Sequence, residues 1–338
     1  MLRLLTRSLA SVAVIFAMVG IAGCSGSDEA LVVYSGRTEN LIGPLIDRFS
    51  EQTGIEVQVR YDDSANLALL IDQEGSRSPA DVFISQSPGA VGFLAGKDRL
   101  TPIDAKVLEL VPARFRNADG LWVGLSGRVR TIVYNPELID PSQLPDSVFD
   151  LTDVSFMGDV GLAPENGSFQ DFVTAMRQIS GDDVTADWLE AMSANDAQAY
   201  ANNSAIVEAV RRGEIPLGLV NHYYNLRAIA EDPNTITQNY FFPDGDIGSL
   251  LIVTAIARLR SSDHGDLAEQ FIAFMLSDEA QTFFSTETLE YPLISGVAPS
   301  PLVPDLADIE ISTYDFDNLG GGLEATKEMI RQSGLEGN

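Results

Sequence analysis

Tyr223 and Tyr224 stand side by side in NHYYNL (221–226), directly after EIPLGLV, a run that reads as a buried strand. Neighbouring side chains on an extended strand point to opposite faces. Two adjacent phenols therefore converge only where the chain turns, at the strand's end. The residues alone leave two readings open. One is ordinary packing of aromatic rings in a core or at a sheet edge. The other is a pair of oxygen donors at the mouth of a cleft. His222 neighbours Tyr223 on this run and so points away from it, into a supporting position. His264 sits in SSDHGD, which reads as an exposed loop, and Cys24 is the one cysteine. No HExxH, no G-x-S-x-G and no Ser–His–Asp order occurs. With two histidines and one cysteine, zinc and nucleophilic mechanisms lack their parts, and no enzyme is expected.

The elements that must position the tyrosines follow from periodicity. LVVYS (31–35) is a short apolar strand. TENLIGPLIDRFSEQTG (38–54) carries Leu41, Ile42, Leu45, Ile46 and Phe49 at helical spacing, with Gly54 as its stop. IEVQVRY (55–61) alternates as a strand, ANLALLIDQEG (65–75) reads as a helix, ADVFIS (80–85) as a buried strand and AVGFLAG as a helix. This β-α-β-α-β-α order predicts a mostly parallel sheet with helices on both faces, and ligands in such sheets bind off the C-terminal strand ends. Tyr34, Ser35, Ser85 and Gln86 occupy those ends. LWVGLSGRVRTIVYNP (121–136) and IGSLLIVTAIARL (247–259) read as long strands crossing between two lobes. VGLAPENGSFQDFVTAMRQI (160–179) reads as strand, loop and helix. Amphipathic helices fill 266–286 and the tail 323–334. The sum is an α/β protein of two lobes with a cleft between them.

The first thirty residues set the compartment. Arg3 and Arg7 precede an apolar run from Leu9 to Ile21, then Ala22, Gly23 and Cys24. This is the layout of a removable secretory signal, and the run is short for a membrane span. IAGC resembles the bacterial lipobox, which implies lipidation of Cys24 and a flexible tether over 24–30 after a signal peptide over 1–23. Net charge is −28 and the pI about 4.2, which repels phosphate backbones and sets nucleic acid aside as a partner.

The blocks LVVYSGRTENLIGPLIDRFSEQTGI, SPADVFISQ, GRVRTIVYNPELI, LAPENGSFQDFVTAMR and NHYYNLRAIA, in this order, resemble the bacterial periplasmic ferric-iron-binding proteins, the substrate-binding components of iron ABC importers. The resemblance implies a type II periplasmic-binding fold with a hinge. Its N-terminal lobe would span 31–128 plus 252–298, and its C-terminal lobe 129–251 plus 299–338. It implies a lipid-anchored monomer in the periplasm or on the outer face of the cytoplasmic membrane, served by an inner-membrane permease with its ATPase. It also implies that Tyr223 and Tyr224 bind Fe(III) as phenolates. Ferric ion is small, hard and prefers anionic oxygen. A free phenol titrates near pH 10, a cost that a bound cation reverses.

Some relatives add a histidine and a glutamate from the other lobe. Here those positions are Thr38 and Gln86. Another branch uses a first-strand tyrosine with an exogenous anion such as carbonate, which points to Tyr34, with Gln86 as a weaker neutral donor. In relatives the anion sits on the loop before a helix, where free N–H groups favour negative charge. That loop is Asn166, Gly167 and Ser168, ahead of a helix starting near Phe169. Asn203, 20 residues before Tyr223, matches a further asparagine. Arg37 and Arg128 are the cations expected to balance the anion, with Arg130 as the alternative to Arg128. The competing reading is the same fold serving another solute: a phosphonate, a polyamine or a small organic anion.

Overall fold

Alternating strand and helix periods dictate the first half-sheet. In this computed structural model, which describes residues 30–312, 316 and 322–336, β1 (Leu31–Ser35), α1 (Glu39–Thr53), β2 (Val57–Tyr61), α2 (Ser64–Glu74), β3 (Val82–Ser85) and α3 (Pro88–Gly96) follow in turn. The signal segment, Cys24 and the tether up to residue 29 lie outside the described residues. Helix α1 buries Leu41, Ile42, Leu45, Ile46 and Phe49 along one face and ends at Gly54 in the left-handed region, φ 74°. Each such apolar side chain contributes about 1.5–3 kcal/mol when fully buried. β2, β1 and β3 are parallel neighbours. Their C-terminal ends therefore deliver Gly36–Thr38, Asp62–Ser64 and Gln86–Ser87 to one edge of the sheet.

β4 (Leu100–Thr101) and α4 (Ala105–Leu108) lead to β5 (Val123–Tyr134), a strand buried along its whole length. β6 (Val160–Leu162), α5 (Gly167–Ser180), α6 (Asp182–Ala194), β7 (Gln198–Ala199), α7 (Asn203–Arg211), β8 (Leu217–Asn221), α8 (His222–Glu231) and β9 (Gln238–Tyr240) come next. β10 (Leu251–Leu259), α9 (Gly265–Met275), α10 (Asp278–Thr286), β11 (Tyr291–Pro292) and α11 (Leu323–Ser333) complete the chain. The main sheet path is β2-β1-β3-β10-β5-β8-β6-β7. β5 is the joint. Its residues Val123–Val129 pair with β10, whereas Arg130–Tyr134 pair with β8. The strand thus changes partner between Val129 and Arg130, leaving one lobe and entering the other, as the long β-rich run 121–136 predicts.

One element differs from expectation. The sequence reads EIPLGLVNHYY as one strand, but β8 stops at Asn221 and the backbone turns into α8 at His222. Both tyrosines lie in the first turn of a helix. The turn needed for their hydroxyls to converge is a strand-to-helix corner.

Candidate functional site

Helical geometry sets the tyrosine pair. Successive residues on a helix are rotated by about 100° rather than the half-turn of a strand, so adjacent rings can share a side. The Tyr223 and Tyr224 rings stack, with centroids 4.2 Å apart and planes inclined by 29°. Tyr223 is fully buried. Tyr224 is half-buried and lines a cleft of ≈ 560 Å³ together with Gly36, Thr38, Asp63, Gln86 and Asn166. His222, the residue before the pair, is locked elsewhere. Its Nδ1 accepts from Val129 N–H at 3.1 Å, and its Nε2 donates to Leu289 O at 3.0 Å. Burial lowers its pKa to about 4, so it stays neutral and structural, as its position beside Tyr223 suggests.

Arg37 reaches across to the pair from the loop after β1. Its Nη1 donates to Tyr223 Oη at 3.0 Å, and its Nη2 donates to Glu290 Oε2 at 2.7 Å, with both charged side chains fully buried. Thr288 Oγ1 also donates to that carboxylate, at 2.9 Å. Burial pulls the Arg37 pKa down, but Glu290 and the two phenols outweigh it, and the net shift is upward. Burial drives the Tyr223 phenol well above its usual range, while Arg37 opposes that rise. The site therefore holds a phenol that burial keeps protonated, beside a guanidinium that favours its anion.

The loop before α5 is organised from within. Asn166 is the N-cap. Its Oδ1 accepts from Ser168 N–H at 3.1 Å, Ser168 Oγ at 2.7 Å and Asn203 Nδ2 at 3.3 Å. Asn221 Nδ2 donates to Ser168 Oγ at 3.2 Å. The N–H groups of Phe169 and Gln170 go to Asn166 O, and the helix begins at Gly167 rather than near Phe169. Asn166, Gly167, Ser168 and Asn203 are thus brought together, with Asn221 as a member that sequence reasoning missed. Its only signal is its place at the strand end before the tyrosines.

Three of the expected site residues are engaged elsewhere. Tyr34 does not reach the pair. Its hydroxyl donates to Glu74 Oε1 at 3.3 Å and its ring packs under Arg60 at 5.5 Å, because the alternation of β1 turns it toward α2. Arg37, 1 % exposed, is spent on Glu290 and Tyr223 and is not presented to an exogenous anion. Arg128 is buried behind the site and donates to Thr254 Oγ1 at 2.7 Å. Burial and then the neighbouring Arg37 lower its pKa. Arg130 is no substitute: its guanidinium lies over Phe172 at 5.1 Å and Phe169 at 5.8 Å, within the core. Burial and then Arg128 hold its pKa at about 9. Gln86 does line the cleft, and Thr38 lies beside it.

Two carboxylates also escaped the sequence reading. Asp171 in α5 accepts from Gly89 N–H of α3 at 2.9 Å, tying the two lobes together, and burial raises its pKa to about 6. A Cβ on Gly89 would come within 2.1 Å of Asp171 Oδ1, so this approach requires glycine. Asp63, at the N-cap of α2, makes no capping hydrogen bond. Burial raises its pKa, against a weak pull from the Ala65 amide and from Lys327. Among the described residues no group of three or more His, Cys, Asp or Glu side chains could hold a metal. The polar side chains that line the cleft beside Tyr224 include the oxygen-bearing Thr38, Asp63, Gln86 and Asn166, a kind of donor that suits hard ions.

The model of the bacterial extracellular solute-binding proteins matches residues 77–319. The chain belongs to that family. Its relatives place this solute-binding protein in the branch of periplasmic ferric-iron-binding proteins. It is 31 % identical over 318 residues to the Fe(3+)-binding periplasmic protein of Serratia marcescens, covering 93 % of each chain. It is 31 % identical over 314 residues to the major ferric iron-binding protein of Neisseria meningitidis, covering 90 % of this chain and 93 % of that one. The crystal structure of iron-bound HitA from Pseudomonas aeruginosa superposes with a TM-score of 0.86 at 32 % identity, over 90 % of this chain and 99 % of the other. The solute-binding protein thus has the type II periplasmic-binding fold, and its role is non-enzymatic.

Proposed function

We propose that this solute-binding protein captures ferric ion in its interlobe cleft and delivers it to the permease of an ABC importer. The observation that carries this reading is the stacked Tyr223–Tyr224 pair at the start of α8, one phenol held by Arg37 and the other open to the cleft. Each phenol loses a proton as it binds, so capture releases protons and weakens as pH falls. An exogenous anion such as carbonate takes positions left by the two phenolates, beside Gly167 and Gln86. Two lobes, 31–128 with 252–298 and 129–251 with 299–338, close on the ion about the β5 and β10 crossings. Export and lipidation at Cys24, following the IAGC stretch, would hold the monomer near the permease on the periplasmic side of the membrane.

A second reading, the same cleft serving a phosphonate, polyamine or small organic anion, is favoured by one feature: Thr38 and Gln86 bring no charge. The test is a titration of the chelator-stripped protein with ferric citrate, with and without bicarbonate, followed in the visible region. The ferric reading predicts a phenolate-to-iron charge-transfer band that Tyr223→Phe and Tyr224→Phe each abolish or cut sharply. No band, and no thermal protection by iron, would favour the organic solutes.

A further inference from the structure

We infer that Asp63 supplies a carboxylate oxygen from the N-terminal lobe to the ion held by Tyr223 and Tyr224. The inference rests on the ferric reading above and adds a donor to it. Two phenolates leave a trivalent ion with one uncompensated charge. Thr38 and Gln86 are neutral, and Tyr34 is turned toward Glu74. The wall facing the tyrosines needs an anion from elsewhere in its own lobe.

Asp63 is placed to be that anion. It follows β2, and β2 lies in parallel register with β1, so its loop abuts the one carrying Gly36–Thr38. The two loops press together: a Cβ on Gly36 would lie 1.9 Å from Ser64 Oγ. The same hydroxyl accepts the Gln86 N–H at 2.9 Å. The three strand-end loops are thereby fixed to one another. Asp63 lines the cleft that Gln86, Asn166 and Tyr224 also line. Its Oδ1 is buried and has no hydrogen-bond partner among the described residues. That oxygen lies 3.8 Å from where a Cβ would stand on Gly167, beside Gln86 Oε1 at 3.5 Å. It therefore faces the opposite wall. An aspartate at an N-cap ordinarily spends its carboxylate on an amide of its own helix; here no capping hydrogen bond forms, the Ala65 amide lowers the pKa less than burial raises it, and Oδ1 is left without a donor. A carboxylate oxygen removed from water without a donor is costly unless a cation takes it. The preceding residue makes the contrast: Asp62 is exposed, and its Oδ1 accepts the Asp63 N–H at 2.7 Å, as a turn aspartate does. With Asp63, three protein charges meet the three charges of the ion, and carbonate is less essential.

Asp63→Asn, Asp63→Glu and the control Asp62→Asn are each titrated with iron against citrate, alongside electron paramagnetic resonance of the loaded protein. The inference predicts that Asp63→Asn keeps the charge-transfer band, because the phenolates remain. It binds at least ~10-fold more weakly, the lower end for loss of a group supporting a metal site. Its binding depends more steeply on bicarbonate, and its resonance spectrum changes. Asp63→Glu recovers part of the affinity, and Asp62→Asn behaves as wild type. Unchanged affinity and an unchanged spectrum in Asp63→Asn would overturn the role of Asp63 while leaving the ferric site standing. A wild-type protein with no charge-transfer band would overturn both. Equal thermal midpoints of the iron-free variants separate a ligand effect from a folding defect.

Discussion

The two walls of the cleft differ in how they are assembled. The C-terminal wall draws its phenols from one dipeptide, fixed by a strand-to-helix corner and by stacking, and the adjoining loop Asn166–Ser168 is tied by hydrogen bonds to Asn203 and Asn221. The N-terminal wall is assembled from three loops that only the parallel order of β2, β1 and β3 brings together. There Asp63 carries an unengaged buried oxygen, and Arg37, Ser87 and Gly89 reach across to Tyr223, Gly167 and Asp171. The difference teaches that a tyrosine pair fixed by local geometry can face a wall that only the sheet order assembles. Thr38 and Gln86 bring no charge to that wall.

Breaking the rigid wall has the largest expected effect. Tyr223→Phe or Tyr224→Phe weakens iron binding by more than the roughly 100-fold that loss of an outer-shell partner costs a metal site. Isothermal or competitive titration measures it, and the iron-free proteins stay folded. Arg37→Met comes next. It leaves Glu290 buried without its cation, which costs about 3–5 kcal/mol, read as a lower urea midpoint. The double variant Arg37→Met, Glu290→Met recovers most of that loss, because the uncompensated charge is gone. Gln86→Glu sharpens the contrast by giving the variable wall a further anion. Iron affinity rises about tenfold, ~1.4 kcal/mol, the part of the new attraction left after the carboxylate is desolvated, and bicarbonate dependence falls.

The smallest effect concerns the seam between the walls. The folded-state pKa of Asp171 is about 6, above its ordinary 3.8. Stability from this group is therefore full below the unfolded value and is lost as pH rises through about 6. The difference is at most about 3 kcal/mol for two pKa units. Asp171→Asn removes the loss, so thermal midpoints at pH 5 and pH 8 lie closer together in the variant than in wild type. Parallel curves would show that burial does not raise the Asp171 pKa.

Much of this was legible in the chain. The first three strands and helices, the β5 crossing and the helices over 266–286 follow from apolar spacing, since each period is local. The tyrosine pair was legible because it is contiguous. Its secondary structure was not: tyrosine suits strands as well as helices, and nothing within NHYYNL marks where β8 ends. Arg37–Glu290 and Asp171–Gly89 join residues 253 and 82 positions apart, and no local signal announces such partners. Asp63 was hidden differently, since YDDSAN reads as a polite turn and helix cap. Its buried, unpartnered Oδ1 is what distinguishes it. The Tyr34–Glu74 contact was not legible either, because a place at a strand end says nothing about which face the phenol takes.

The central claim is that Tyr223 and Tyr224 hold the ferric ion together. The most direct test is a crystal structure of the iron-loaded protein with anomalous scattering measured at the iron edge. The account predicts one anomalous peak within bonding distance of both phenol oxygens. A peak elsewhere in the cleft, or phenols still bonded only as in the iron-free protein while iron is bound, would contradict it.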